Sequence, residues 1–147
     1  MSVFTEEELA YLAGNRLGRL ATVGADGMPH VTPLRPFFDR DTDTFVVGGR
    51  GDFAATKKFR DAQRYGLAAL VIDDVGSFDP FTPRGIEVRG RVEAHSEGGA
   101  ELGRALGSAY PLSDAWLRII PVRIVSWGLH GEPFAPPFAR TVGTTVE

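Results

Sequence analysis

The chain has 147 residues, 43% of them apolar and 24% charged, which suits one ordinary globular domain with a core of its own. It contains no cysteine, which excludes disulfides, thiolate metal sites and cysteine nucleophiles, and its three histidines (His30, His95 and His130) are too scattered for a metal site to be expected. The formal charge of −3 argues against nucleic acid as a partner, and no apolar run approaches the ~18 residues of a membrane span.

Residues 1–8 are acidic and helical in pattern, unlike the basic start and apolar run of a signal peptide, so the cytoplasm is the expected location. Thr5-Glu6-Glu7-Glu8 reads as a capping box opening a short helix that stops at Gly14-Asn15. From Leu17 the pattern becomes strand-like. Asp26-Gly27 marks a hairpin, and a second strand runs from Pro29 to Phe38, with Pro33 and Pro36 pointing to an edge or a bulge. A third strand covers Thr44 to Gly49. Asp52 is a plausible cap for a helix with Phe53, Thr56, Phe59 and Ala62 on one face. Leu67 to Ile72 reads as a strand buried on both faces, Val75 to Pro83 as a loop, and Gly85 to His95 as a half-exposed alternating strand. A further helix is expected within residues 96–109 and a last strand from Ile119 to Leu129. Short strands at this spacing predict a mainly β fold: a six-stranded antiparallel barrel with peripheral helices. Residues 1–131 form the expected domain, and residues 132–147 a Pro-rich irregular tail.

The segment richest in chemistry runs from Gly48 to Arg64. A strand ends in glycines, a helix begins, and two lysines (Lys57 and Lys58) and two arginines sit on its first three turns. A helix start presents unpaired N–H groups and a partial positive charge, which attract phosphate, and glycine lets backbone approach a ligand closely. The same basic residues also suit a merely solvated surface helix. In Pro29-His30-Val31-Thr32-Pro33, alternation puts His30 and Thr32 on one face, which suits either a polar cofactor site or an exposed strand face. Trp127 is a candidate for ring stacking or for plain core packing. Arg84, Arg89 and Arg91 are read as solvated or paired with Glu87 and Glu93. No nucleophile elbow, zincin or dinucleotide-binding motif is present.

Residues 19–23, 26–33, 57–61, 70–74, 83–90 and 125–128, taken in order, resemble the pyridoxamine 5'-phosphate oxidase-like superfamily, and in particular its actinobacterial group of F420-dependent enzymes. The resemblance implies a split β-barrel, known as the FMN-binding split barrel, and a homodimer with two cofactor sites at the subunit interface. It also implies an oxidoreductase that transfers a hydride between coenzyme F420 and a small unsaturated organic substrate, with FMN as the alternative cofactor. By position, His30, Thr32 and Pro33 would line the ring pocket. Val47, Gly48 and Gly49 would run their backbone beside the cofactor, and Lys57 and Lys58 would hold its phosphate. No catalytic side chain is assigned, because the cofactor carries the chemistry. The chain lacks the C-terminal Arg-x-His of true pyridoxamine phosphate oxidases, and Arg35-Pro36 departs from the usual form. A rival reading of another class is a protein that binds a cofactor, haem or tetrapyrrole without turnover, with His30 or His130 as axial ligand.

Overall fold

The computed structural model describes residues 1–132 and 134–143; Pro133 and residues 144–147, all within the predicted tail, lie outside the described residues. The elements are α1 (Glu6–Gly14), β1 (Gly18–Val23), β2 (Pro29–Leu34), β3 (Phe37–Asp39), β4 (Thr44–Val47), a 3-10 turn (Phe53–Ala55), α2 (Lys57–Tyr65), β5 (Leu67–Phe78), β6 (Phe81–His95), α3 (Gly99–Ala105), β7 (Trp116–Trp127) and β8 (Phe138–Thr141). The strands form one antiparallel sheet in the order β2-β1-β5-β6-β7-β4-β3. One edge of β7 is shared, with β4 against Leu117–Ile119 and β8 against Arg123–Ser126. The sheet curls around the core but does not close, because β2 and β3 are its two ends, joined only by Arg35 and Pro36. This is the expected mainly β split barrel, with eight strands rather than six.

Alternation builds the core. Leu20, Leu70, Ile72, Ile86, Val88, Leu117, Ile119 and Ile124 all point inward and are almost completely buried. The capping box forms as expected, with Glu8 N–H donating to Thr5 Oγ1 and Thr5 N–H donating to Glu8 Oε1. Gly27 takes φ of 80° in the β1–β2 hairpin and Gly66 takes 67° at the end of α2, conformations that glycine adopts without a steric cost. α2 sends Phe59 and Ala62 into the core, and α3 adds Leu102 to a smaller cluster of Phe37, Val46 and Trp116.

Several expectations need correction. The strand read from Pro29 to Phe38 breaks at Arg35-Pro36, since Pro36 has no N–H to donate to a ladder. The loop read from Val75 to Pro83 is instead the tip of a long β5–β6 hairpin, with Phe78 and Phe81 exposed. β5 is not buried on both faces: Leu70 and Ile72 are buried, whereas Leu67 on the other face is 53% exposed. Asp52 makes no side-chain cap, and Thr56 caps α2 in its place. Part of the predicted irregular tail is β8. It is held by the ladder to β7 and by Arg140, which donates to Glu8 across 132 residues of sequence.

Candidate functional site

At the hairpin end of β1 and β2, the start of α2 meets the sheet. Thr22 is the last inward residue of β1, and His30 is its cross-strand partner on β2. Thr22 Oγ1 donates to Asp61 Oδ2 at 3.0 Å, and Lys57 Nζ donates to Asp61 Oδ1 at 3.2 Å. Burial pushes the Asp61 carboxyl up, but the hydrogen bonds from Lys57 and Thr22, with the neighbouring charges of Lys57 and His30, hold it below the usual carboxylate range. His30 Nδ1 is buried without a hydrogen-bond partner. A Cβ on Gly24 would lie 2.7 Å from Lys57 Nζ, so the amine occupies the space that this glycine leaves open.

The charges at this helix start have the wrong sign for the helix itself. The first turn of α2 carries Lys57 and Lys58 and no acidic residue, although the helix dipole favours anions there. Lysine followed by aspartate at i,i+4 is also the less favourable order for such a pair. An arrangement that costs the helix stability is what an anion-binding terminus requires, because the ligand supplies the missing negative charge. The Lys57 side chain remains 43% exposed, within reach of such a ligand.

The remaining predicted residues divide. Thr32 shares the inward-turned face of β2 with His30, whereas Pro33 lies on the opposite, exposed face. Val47 is fully buried in the core, so only its backbone is available at the end of β4. A Cβ on Gly48 would come 2.9 Å from Leu112, and one on Gly49 would come 2.8 Å from Phe53. Both glycines let the chain pass under side chains that leave no room for more. Lys58 Nζ lies 5.7 Å from the centre of the Phe53 ring, so the two lysines take different directions. Two groups therefore flank the start of α2: Thr22, Gly24, His30, Lys57 and Asp61 on one side, and Gly49, Phe53 and Lys58 on the other. Sequence reasoning missed Thr22, Gly24 and Asp61. A polar residue at an inward β1 position and the Lys57–Asp61 spacing were the available signals.

On the outward face of the sheet runs a groove of about 840 Å³, lined by Ala21, Val23 and Pro29, by Leu67 and Ala69, and by Arg89, Arg91 and Arg123, and it shares only Thr22 with this cluster. Arg89 and Arg123 are cross-strand neighbours, a repulsive placement for like charges. Arg89 pairs with Glu87 at 3.1 Å, as the sequence suggested, but Arg84 pairs with Asp74, and Arg91 Nε is buried without a partner. Trp127 is half-buried at the end of β7, packed against Gly85. Among the described residues no group of three or more histidines and acids comes together as a metal would need, and no helix is long and apolar enough to cross a membrane.

A curled antiparallel sheet that stays open between β2 and β3, with helices at its periphery, defines the split-barrel class of protein. The model of the pyridoxamine 5'-phosphate oxidase family matches residues 4–128, and the chain belongs to that family of oxidoreductases. It is 36% identical over 139 residues to a 5a,11a-dehydrotetracycline/5a,11a-dehydrooxytetracycline reductase of Streptomyces rimosus, covering 95% of this chain and 93% of the relative. Among solved structures it is similar to a pyridoxamine 5'-phosphate oxidase-related, FMN binding protein of Nostoc punctiforme, with TM-score 0.61, 14% identity, and coverage of 97% and 99% of the two chains. It is also similar to a heme binding protein of Mycobacterium smegmatis, with TM-score 0.65, 18% identity, and coverage of 96% of this chain and 60% of that one.

Proposed function

We propose that the protein is a reductase that uses coenzyme F420 to reduce a conjugated double bond in a small polycyclic organic substrate. The observation that supports this reading is the start of α2, whose first turn carries two lysines and no acid and leaves the Lys57 side chain 43% exposed. The relative that reduces a dehydrotetracycline supports the substrate class. FMN is the alternative cofactor, since it too joins a tricyclic ring to a phosphate.

The residues fit such a group. Lys57 and the first free N–H groups of α2 would take the phosphate, with Asp61 and Thr22 fixing the amine that meets it. The buried, unpartnered His30 Nδ1 offers a polar contact for the ring, and Thr32 lies on the same face. Gly48 and Gly49 would bring backbone close to the ring, while Val47 contributes no side chain and Pro33 faces the other way. When bound, the deazaflavin supplies the hydride; the protein supplies orientation and exclusion of water.

A homodimer belongs to the same reading. The outward face of β2, β1 and β5 exposes Val31, Val23 and Leu67, and Met28 adjoins it. Contiguous apolar surface of this kind suits a second subunit, which would wall the groove, and two-fold pairing is the commonest symmetry. A cytoplasmic location is part of the proposal. Titration of the purified protein with F420, followed by fluorescence, tests the cofactor: saturable binding supports the reading, and its absence overturns it. A yellow protein that releases flavin on heating transfers the assignment to FMN. Sedimentation as a monomer would remove the dimer.

A second reading has its own observation. His30 Nδ1 and His130 Nε2 are both buried without partners, and an imidazole with a free nitrogen is what haem ligation needs. A Soret band on addition of haemin, lost in His30→Ala or His130→Ala, would favour that binding role over the reductase.

A further inference from the structure

A second pocket, of about 240 Å³, lies at the opposite end of the β1–β2 hairpin from the lysines. Its floor is core: Leu12, Phe45 and Ile72 are all nearly buried. Its rim carries Arg16, Arg35 and Arg40, which come from three separate segments: the link from α1 to β1, the break between β2 and β3, and the turn between β3 and β4. All three arginines are exposed, and none forms an ion pair among the described residues. The guanidinium of Arg35 lies 4.3 Å from the centre of the Phe37 ring, which holds it at the mouth.

Charge and size together define an occupant. In a chain of net charge −3, three exposed arginines without an ion pair among the described residues line one opening, where they raise the local positive potential. The buried floor calls for an apolar body. A volume of about 240 Å³ falls below the range of roughly 300–1,000 Å³ typical of sites for drug-sized ligands, so a four-ring substrate or a tricyclic cofactor does not fit. The rung Gly18–Leu34 beside this pocket is four residues from the rung Thr22–His30, a separation of about 13 Å along the sheet. We propose that this pocket is a second ligand site, for a small organic anion whose apolar body enters between α1 and the barrel and whose anionic group meets the arginines. The Arg35-Pro36 interruption of the second strand, unexplained by the family pattern, then has a role: it delivers one of the three charges.

Benzoate is the probe, with benzyl alcohol as its uncharged counterpart, each titrated into the purified full chain and followed by two-dimensional amide NMR. Saturable shifts are expected at residues 12–16, 35, 37, 38 and 106, with little change at residues 56–61. Arg16→Ala and Arg35→Ala should each weaken benzoate by about fivefold while the spectrum stays that of the folded chain, and benzyl alcohol should not saturate. Shifts centred on α2, equal binding of the alcohol, or unchanged affinity in both folded variants would overturn the proposal. None of these results depends on which cofactor, if any, occupies the site at α2.

Discussion

Two buried carboxylates in this molecule are treated in opposite ways. Glu8 is completely buried, and Arg140 closes over it with Nη1 to Oε2 at 2.8 Å and Nη2 to Oε1 at 2.5 Å, while Glu8 also caps its own helix. Burial pushes the Glu8 carboxyl up, but the hydrogen bonds and charge of Arg140 and the Thr5 N–H together hold it below the usual range. Asp61 is almost as buried, yet its cation, Lys57, is 43% exposed. The first arrangement leaves the guanidinium little freedom to meet anything else, so it fastens the end of the chain to its beginning. The second holds an amine in place while leaving part of its surface open. A closed pair marks structure, and a half-open pair is where the proposed cofactor phosphate would find an amine still able to bind it.

The sharpest way to break this contrast is to remove the closed cation. Arg140→Met leaves a buried carboxylate uncompensated and should cost about 3 kcal/mol, measured by urea unfolding. Glu8→Gln keeps a capping side chain, so the double variant should lose less than the sum of the two single losses. A simple sum would mean that the pair does not act as a unit.

Acid comes next. Because the folded state holds Glu8 below its ordinary value of 4.5, the unfolded chain takes up that proton first as the pH falls. The stabilisation is therefore complete above that ordinary value and is lost as the pH drops through the depressed folded one. Stability measured from neutral pH downward should fall less steeply in Glu8→Gln than in the parent. Asp61 and Asp74, also held low, account for part of the slope that remains. Identical slopes would show that the closed pair carries no such linkage.

At the open pair the effect shifts from stability to binding. Lys57→Met should cost about 1 kcal/mol on unfolding, less than Arg140→Met, because Thr22 still donates to the buried Asp61 when the amine is gone. It should weaken cofactor binding by roughly tenfold, the value of one charge-assisted hydrogen bond, and flatten the dependence of affinity on salt. A large loss of stability with unchanged affinity would make Lys57 a structural partner like Arg140 and erase the distinction.

Local signals made much of this legible. The capping box at Thr5, the Asp26-Gly27 hairpin, the alternation of Ile86, Val88, Gly90 and Val92, and the basic start of α2 all lie within a few residues of the groups they act on. The sequence missed what depends on distant partners. Arg140 looked like tail because Glu8 is 132 residues away. Asp61 went unassigned because Thr22, which donates to it, is on another element. β5 looked buried on both faces because its apolar run does not reveal that one side lies open. His30 and Thr32 share one face of β2 as alternation predicts, and the same rule puts Pro33 on the other.

The smallest test concerns the space that Lys57 occupies. Gly24 does not carry the positive φ that favours glycine, so alanine meets no backbone penalty there. What it meets is the lysine amine at 2.7 Å and the Asp26 carboxylate at 3.1 Å. The amine is the far end of a flexible side chain and can swing away at little cost, so Gly24→Ala should leave the melting temperature almost unchanged. The displaced amine would no longer share Asp61 with Thr22, and cofactor affinity should drop by about threefold, less than when the charge is deleted. Adding Lys57→Met to Gly24→Ala should then give no further loss beyond that of Lys57→Met alone, because both changes act on the same amine. Additive losses would separate Gly24 from the lysine and assign the glycine to direct contact between its backbone and the ligand.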